Sequence, residues 1–198
     1  REGVPNYFGE QRFGKRGANL DKGMRILNGN PRKAARAMPK RLMRLLISAV
    51  QSEVFNRVLV QRLETIDRVH VGDVAFLHRN GACFVVETED EQVRCQDFEI
   101  SPSGPLPGPK MLRARGEQAQ LEDQVMAELD LEPDTFGRLP YATNQGARRP
   151  LRVPVWDPEV GVEDDGLRLR FGLPKGSYAT SVLGELLEEP PWFGEEGG

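Results

Sequence analysis

The chain has 198 residues, of which 38% are apolar and 29% charged, and this length can bury the core of one or two compact domains. It has no run of about 18 apolar residues and no basic-then-apolar leader, which disfavours membrane insertion and secretion and predicts a cytoplasmic protein without a membrane partner. Cys83 and Cys95 have neither a second cysteine pair nor nearby histidines, which excludes a disulfide framework and a zinc site and predicts two buried thiols. Because Arg1 stands in the place of Met, we expect a piece of a longer polypeptide.

The formal net charge of −3 conceals two oppositely charged segments. Residues 1–45 contain twelve Lys or Arg and three acids, a charge of +9, whereas the other residues contain fifteen Lys or Arg and twenty-seven acids, a charge of −12. A basic segment that also carries Tyr7, Phe8 and Phe13 can neutralise phosphates and offer flat surfaces to unstacked bases, which favours RNA as a partner. The alternative is a solvated basic face on an ordinary enzyme.

The first half of the chain predicts a loop region, a helix and a hairpin. Closely spaced glycines in residues 1–30 indicate a structured loop region. Apolar residues recur at helical spacing over residues 39–63, which predicts a long core helix. Residues 72–87 predict a β-hairpin, because two strand-like runs flank the Asn80-Gly81 turn.

The second half predicts shorter elements. Prolines and glycines between Ser101 and Pro109 indicate irregular structure, and an amphipathic helix is expected from about Gly116. A loop-like stretch is predicted at 137–150, strands at 151–156 and 167–171, and a last helix at 177–187. Residues after about Glu189 are expected to be poorly ordered. Helices mixed with strands in no strict alternation predict the α+β class.

Signals for nucleotide and metal sites are weak. The segment from Gly104 to Lys110 is one residue short of a phosphate-binding loop, and its prolines remove the amide donors that such a loop needs. The two histidines, His70 and His78, lack the partners of a triad or a metal site and are expected to be structural or exposed. We therefore predict no nucleotide cofactor and no metal. The acidic run at 163–165 fits a solvated turn better than a cation site.

Four short blocks carry a family resemblance. The blocks are GVPNYFGEQRFG (residues 3–14), LISAVQSEVFN (46–56), GARRPL (146–151) and LPKGSYATSVL (173–183). In this order they resemble the signatures of the TruD family of tRNA pseudouridine synthases. Because the blocks cover the whole chain in matching order, chance is a poor explanation.

The resemblance implies a fold and an activity. Members of this family isomerise uridine to pseudouridine in RNA, typically at position 13 of tRNA, with a catalytic aspartate and no cofactor. Their mixed-sheet catalytic domain is interrupted by an inserted TRUD domain, and RNA lies in the cleft between the two. By this resemblance, residues 1–152 are the TRUD insertion domain and residues 153–198 are the returning C-terminal part of the catalytic domain. The implied partner is tRNA.

Two departures from the family pattern stand out. The family's nucleophilic aspartate belongs to a Gly-x-Lys-Asp-like motif upstream of the Asn-Tyr-Phe-Gly block, and no such motif occurs here. Asp21 precedes Lys22, which is the wrong order at the wrong position, so no catalytic residue is assigned within the chain and the nucleophile is expected upstream of Arg1. Gly184 stands where the pattern has an arginine, and a glycine costs about 1 kcal/mol inside a helix.

Tyr178 is the first choice for a substrate contact. An isomerised uracil must leave the base stack and be held by a flat face while it turns, and the resemblance places Tyr178 where the family has a Phe or Tyr against the target uridine. The alternative is that Tyr178 is a core aromatic at a strand–helix junction. Lys175, in the same closing block, is included in the expected substrate-binding set.

Polar residues of the other blocks complete the expected site. Arg148 and Arg149 precede a proline in an extended segment and suit bidentate phosphate contacts, although paired arginines also occur simply as solubilising surface residues. Asn6, Gln11 and Arg12 are expected to bond RNA or to orient the upstream aspartate. The aromatic residues of the first block are expected to pack and shape its loop, and Gln51 and Asn56 to secure a neighbouring loop.

Three hypotheses about function remain open at this level. The first is a cofactor-free tRNA pseudouridine synthase whose nucleophile lies outside the chain. The second is a non-catalytic RNA-binding module or fragment, which the +9 segment and the missing aspartate favour. The third is an adaptor that binds a protein through its acidic tail.

Overall fold

The structure is a computed structural model that describes residues 3–132, 134–139, 145–164 and 166–187. Its helices are α1 (Ala18–Asn28), α2 (Pro31–Ala37), α3 (Lys40–Gln61), α4 (Glu91–Gln96), α5 (Gly116–Glu128) and α6 (Ala179–Leu187). Its strands are β1 (Val4–Pro5), β2 (Val74–Leu77), β3 (Cys83–Val85), β4 (Ile100–Leu106), β5 (Ala147–Pro150), β6 (Arg152–Val153), β7 (Trp156–Glu163) and β8 (Gly166–Gly172). All described strand pairs are antiparallel, and the mixture of helices and sheets confirms the predicted α+β class.

Helix α3 is the central element of the fold. One side packs in an apolar cluster with α1, α2 and α5, to which α3 contributes Val50, Val54 and Val58. Another side contributes Phe55 and Leu59 to a second cluster, which also contains aromatic residues of the first block. The periodicity predicted this helix correctly, and it is apolar on several sides because both clusters cover it.

Helix α1 lies in a segment that the glycines had predicted to be a loop, and that prediction was wrong. A Cβ at Gly23 would stand 2.4 Å from the carbonyl oxygen of Leu46 on α3 and 2.6 Å from a methyl group of Val50. The glycine therefore sits inside the helix because two helix backbones approach closely there. Local propensity alone does not reveal such a contact.

The larger sheet has the strand order β3-β2-β4-β5. The predicted hairpin is confirmed, with β2 and β3 joined through a turn in which Gly81 has φ of 74°. The prediction of irregular structure at 101–109 was wrong, because β4 is a central strand that contains Pro102 and Pro105. Proline lacks a donor but keeps its acceptor, and the carbonyl of Pro102 accepts from the amide of Leu151 at 2.8 Å.

The segment predicted as one strand at 151–156 belongs to two sheets. Strand β6 pairs with β1 through Val4↔Val153 and Pro5↔Arg152, whereas Trp156 begins β7. Likewise the end of the predicted loop at 137–150 is a strand, β5, which pairs with β4. These loop and strand predictions were therefore wrong in part.

Strands β7 and β8 form a separate two-stranded hairpin. The predicted strand at 167–171 and the predicted last helix are confirmed as β8 and as α6, which begins two residues later than expected. One face of the hairpin is apolar and exposed: Val160 is 71% exposed, Val162 86% and Leu167 70%. The prediction for the tail after Glu189 lies outside the described residues.

Candidate nucleic-acid interface

The candidate site is built on Phe8, whose backbone is clamped by α3. The side chain of Asn56 accepts a hydrogen bond from the Phe8 amide and donates one to the Phe8 carbonyl, each 3.0 Å long. The ring packs edge-on against Phe55 with centroids 5.5 Å apart. Gln51 donates to the carbonyl of Pro107 at 2.7 Å. The prediction that Gln51 and Asn56 secure neighbouring loops is thus confirmed, and the backbone of Phe8 is tied to α3.

Arg149 lies over the ring of Phe8, with its guanidinium carbon 4.1 Å from the ring centroid. Its Nε donates to the backbone carbonyl of Asn6 at 3.1 Å, and its Nη2 donates to the Asn6 side-chain oxygen and to the carbonyl of Gly176. No described carboxylate forms an ion pair with it. Hydrogen bonds therefore fix the position of the Arg149 guanidinium, and no described carboxylate neutralises its charge, which can attract an anionic ligand.

The surroundings of Arg149 change its pKa. Burial lowers the pKa of Arg149 to about 10; Tyr178 opposes the change, and the positive charge of Arg12 adds to it. The guanidinium still carries its proton at neutral pH. A cation that has lost solvent and has a like charge nearby gains from a phosphate that enters the site.

Arg12 lies near the same ring, with its guanidinium carbon 5.0 Å from the Phe8 centroid. Its Nη1 donates to the hydroxyl of Ser48 on α3 at 3.4 Å. Its Nε is buried and has no hydrogen-bond partner among the described residues. A buried unpaired donor is costly, so this side chain is better satisfied when a ligand supplies an acceptor.

Tyr178 completes the cluster. Its ring centroid lies 6.3 Å from that of Phe8, and the residue precedes α6 and is half-buried. It is therefore neither sealed in the core nor isolated from the cations, since it stands on the Phe8 ring that Arg12 and Arg149 approach. A half-buried flat side chain thus lies close to two guanidinium groups.

Asn6 has a different place from the one expected of an RNA contact. It is 3% exposed, and its side-chain amide donates to the carbonyl of Pro150 at 2.9 Å while its oxygen accepts from Arg149. Direct contact with RNA is corrected to a positioning contact with Arg149. Gln11 and Lys175 are both exposed, on a short 3-10 helix and on the turn before α6, where RNA can reach them.

The structure corrects the prediction that Arg148 contacts phosphate. Its side chain is 1% exposed, and both terminal nitrogens donate to the Glu122 carboxylate on α5, at 2.8 and 3.0 Å. Its Nε and Nη2 donate to Ser103. Because neighbouring residues of a strand point to opposite faces, β5 directs Arg148 into the core and Arg149 towards Phe8.

The sequence analysis did not identify the residues that bind the arginines of the first and third blocks. Glu122 was part of a predicted amphipathic helix, and Ser48 part of a family block, without a site role. The paired arginines on a strand were a usable signal, but only if β5 had been predicted as a strand. Gly184 is buried in α6, so this position offers no exposed contact in place of the family's arginine.

Other expectations about chemistry can be checked over the described part of the chain. None of its helices is long and apolar enough to cross a bilayer. His70 is exposed, and His78 is a structural residue 2.8 Å from the Ser101 hydroxyl, as predicted. Cys95 is buried as predicted, whereas Cys83 is only partly buried, so that prediction was wrong for Cys83. Its His, Cys, Asp and Glu residues form no group of three suited to a metal ion.

Comparison with known proteins identifies the class. The family profile described as tRNA pseudouridine synthase D (TruD) matches residues 24–186. The chain therefore belongs to the TruD family, as the resemblance predicted, and the matched region contains three of the four blocks, since residues 3–14 precede it.

Individual relatives agree with this assignment. The chain is 46% identical over 159 residues to tRNA pseudouridine synthase D of Geobacter sulfurreducens, covering 80% of the chain and 39% of that protein. It is 42% identical over 189 residues to tRNA pseudouridine synthase D of Thermus thermophilus, covering 94% of the chain and 51% of that protein. A crystal structure of a candidate tRNA pseudouridine synthase D from Methanosarcina mazei superposes with a TM-score of 0.81 at 25% identity, covering 96% of the chain and 62% of that protein. The chain thus spans about half the length of the curated relatives it matches.

Proposed function

We propose that this chain is the RNA-binding and base-holding part of a tRNA pseudouridine synthase. Its substrate is uridine in tRNA, at position 13, and the nucleophilic aspartate comes from residues outside this chain. Family membership supports the reaction class. The observation that supports this role is the cluster in which the side chains of Arg12, Arg149 and Tyr178 lie around the ring of Phe8.

The residues of the cluster have complementary roles. Pseudouridine differs from uridine in that the ribose is bonded to C5 of the base instead of N1, so the base must detach, turn and rejoin. Tyr178 offers a flat face on which the base can turn without a fixed orientation. Arg12 and Arg149 hold the flanking phosphates, since a guanidinium matches a phosphate in a bidentate geometry. Asn6 positions Arg149 through two hydrogen bonds. No cofactor is needed for an isomerisation of this kind.

Strand pairing supports a division of the chain near residue 152. Strands β1 and β6 lie side by side, so the chain enters and leaves the helical and four-stranded unit at one point, as an inserted domain must. We propose residues 1–152 as the TRUD insertion domain and 153–198 as the returning part of the catalytic domain. The exposed apolar face of the β7–β8 hairpin fits this division, because a sheet face of that composition needs a covering layer.

The test is an assay of tRNA modification. A chimera in which this chain replaces the matched region of the Thermus thermophilus relative should convert uridine 13, measured as tritium release from tRNA labelled at uridine C5. This chain alone should bind the same tRNA and release no tritium. A chimera that folds and binds tRNA but forms no pseudouridine would refute the proposal.

The role of Tyr178 has its own discriminating variants. Tyr178→Ala in the chimera should lower kcat by a larger factor than it weakens tRNA binding, because one stacking contact is worth about 1–3 kcal/mol whereas phosphate contacts are many. Tyr178→Phe should retain turnover, since the flat ring remains. Equal losses in kcat and in affinity for Tyr178→Ala would contradict a base-holding role.

A non-catalytic RNA-binding module is the second candidate. It is favoured by the same cluster, in which no described carboxylate pairs with Arg12 or Arg149. Under this alternative the chain binds tRNA with a steep inverse dependence on salt, and the chimera stays inactive. The acidic-tail adaptor hypothesis concerns residues 190–198, which lie outside the described residues.

A further inference from the structure

Three successive helices, of which α1 and α3 contact the region around Arg12, carry a second group of basic residues. Residues 14–52 contain ten Lys or Arg and one acid, Asp21. Six of the basic side chains are exposed on α1, α2 and the first turn of α3 and form no ion pair with a described carboxylate. We call this set the basic ridge, and its members are Lys22, Arg25, Arg32, Lys33, Arg36 and Arg41.

The ridge continues from the site through direct contacts. The backbone amide of Asn19, at the start of α1, donates to the carbonyl of Phe13 at 2.8 Å, and its side chain donates to the carbonyl of Arg12. Ser48 on α3 accepts from Arg12, and Arg41 lies seven residues earlier on that helix, which is about 10 Å along the axis. A nucleic acid held at Arg12 can therefore extend onto the ridge.

The chemistry of the ridge differs from that of the site. Residues 14–54 contain no Phe, Tyr or Trp, so the ridge offers cations without a surface for stacking. Phosphates on the outside of a double helix need only cations, whereas unstacked bases need aromatic rings as well. The ridge suits the backbone of a paired RNA arm, and the Phe8 cluster suits a single extruded nucleotide.

We propose that the basic ridge binds the phosphate backbone of a double-helical RNA arm next to the nucleotide held at the Phe8 cluster. This inference rests on the proposed function, because it assumes RNA as the ligand. No large apolar side chain is exposed on α1 or α2 among the described residues, and near Arg41 on α3 only Leu42 and Leu45 are, which is less than the apolar face that a membrane-binding helix needs. Proximity to Arg12 favours RNA over an acidic protein.

The experiment separates paired from unpaired RNA. The wild-type chain and its variants are titrated by fluorescence anisotropy with a labelled RNA duplex of about 12 base pairs and with a labelled oligouridine of about 12 nucleotides, over a series of KCl concentrations. The ridge variant Arg32→Ala, Lys33→Ala, Arg36→Ala removes three charges from α2. The matched control Arg79→Ala, Arg168→Ala, Arg170→Ala removes three exposed charges elsewhere. Circular dichroism verifies that both variants are folded.

We expect the ridge variant to bind the duplex about tenfold or more weakly, with the slope of log K against log salt reduced by about two to three. Its affinity for oligouridine should change by less than about twofold, and the control should change neither affinity by more than that. Equal losses on both probes, equal losses in the control, or no loss at all would overturn the ridge as a duplex-binding surface.

Two further outcomes distinguish this inference from the function on which it rests. Binding of oligouridine without binding of the duplex would overturn the ridge alone. A wild-type chain that binds neither RNA at low salt would overturn the proposed function together with the ridge. Polyglutamate that competes with the duplex as well as unlabelled duplex does, at equal charge, would reassign the ridge to an acidic protein partner.

Discussion

The two larger antiparallel sheets of this protein differ in sequence pattern and in surroundings. In the four-stranded sheet, β4 is almost wholly buried, and α3 packs against it through Phe55 beside Gly104. In the β7–β8 hairpin, apolar residues of β8 alternate with Arg168 and Arg170, but the apolar face is exposed and no other described element packs extensively against it. Alternation thus defines an apolar face, and a second layer decides whether that face becomes a core.

The charged residues show the same contrast. Arg148 on β5 and Glu122 on α5 form an ion pair in the core of the first region, with side chains 1% and 8% exposed. Arg170 and Glu159 form a cross-strand pair on the hairpin, with side chains 80% and 66% exposed. Removing one partner of a buried ion pair costs much stability, because the remaining charge is left without a partner and without contact with water. Removing one partner of an exposed pair costs little, because water solvates the remaining charge.

The largest expected effect is therefore that of Arg148→Ala. It should lower the free energy of unfolding by about 3–5 kcal/mol, because Glu122 and Ser103 lose their buried partner. The matched change Arg170→Ala should cost about 0–1 kcal/mol. Urea denaturation measures both values. The apolar pair Arg148→Met with Glu122→Leu should recover most of the loss, and similar costs for the two single variants would contradict the contrast between the regions.

The next effect concerns glycines in the two sheets. A Cβ at Gly104 would stand 2.8 Å from the Phe55 ring and 2.9 Å from a methyl group of Leu151, whereas at Gly161 on β7 the nearest atoms are those of the Arg168 side chain at 3.7 Å. Gly104→Ala should therefore destabilise the protein by about 1–3 kcal/mol through overpacking. Gly161→Ala should change stability by no more than about 0.5 kcal/mol. Thermal melts of the pair test this prediction, and a harmless Gly104→Ala would show that the two layers are not tightly packed.

These glycines also explain what could be predicted from the sequence about the fold. Helices α3 and α5 and the β2–β3 hairpin were predicted because their periodicity or turn residues are local signals. Helix α1 was missed because Gly23 is one of several closely spaced glycines, and strand β4 because its prolines and Gly104 were interpreted as breakers. Gly23 and Gly104 are in fact small to let another element approach. Such a contact depends on the partner element, so local propensity cannot reveal it.

The candidate site was predictable only as a set of residues. The blocks contained Arg12, Arg149 and Tyr178, and the structure brings these three together around Phe8. What the sequence left undecided was direction: Arg148 and Arg149 are equivalent in a loop, and only a strand assigns them to opposite faces. The role of Asn6 in holding Arg149 depends on a contact across 143 residues of sequence.

A smaller effect on the free energy of unfolding should follow from a change of pH. It concerns the four-stranded sheet, because His78 directly follows β2, whereas the β7–β8 hairpin contains no histidine. Burial, together with the positive charge of Arg152, lowers the pKa of His78 below its ordinary value of 6.5. The unfolded chain then binds a proton at a higher pH than the folded chain does. Stability contributed by the neutral ring is therefore complete above pH 6.5 and decreases as the pH falls below it.

Denaturation between pH 5 and pH 8 checks this sign. The wild-type chain and His70→Gln, which changes an exposed histidine, should lose stability in parallel below pH 6.5. His78→Gln should lose less over that interval, because no imidazole remains at this half-buried position. A steeper loss for His78→Gln than for the wild-type chain would reverse the assignment.

The smallest expected effect on stability is at the centre of the hairpin face. Val162→Lys should change the free energy of unfolding by no more than about 0.5 kcal/mol, because the side chain is 86% exposed and leaves no cavity. The same change should reduce self-association and the binding of a hydrophobic dye, since an exposed apolar sheet face promotes both. Val162→Thr keeps the strand preference without adding a charge. Its self-association and dye binding should therefore lie between those of the wild-type chain and those of Val162→Lys. A loss above about 1 kcal/mol for Val162→Lys would mean that the face is already covered within this chain, and the contrast between the two sheets would disappear.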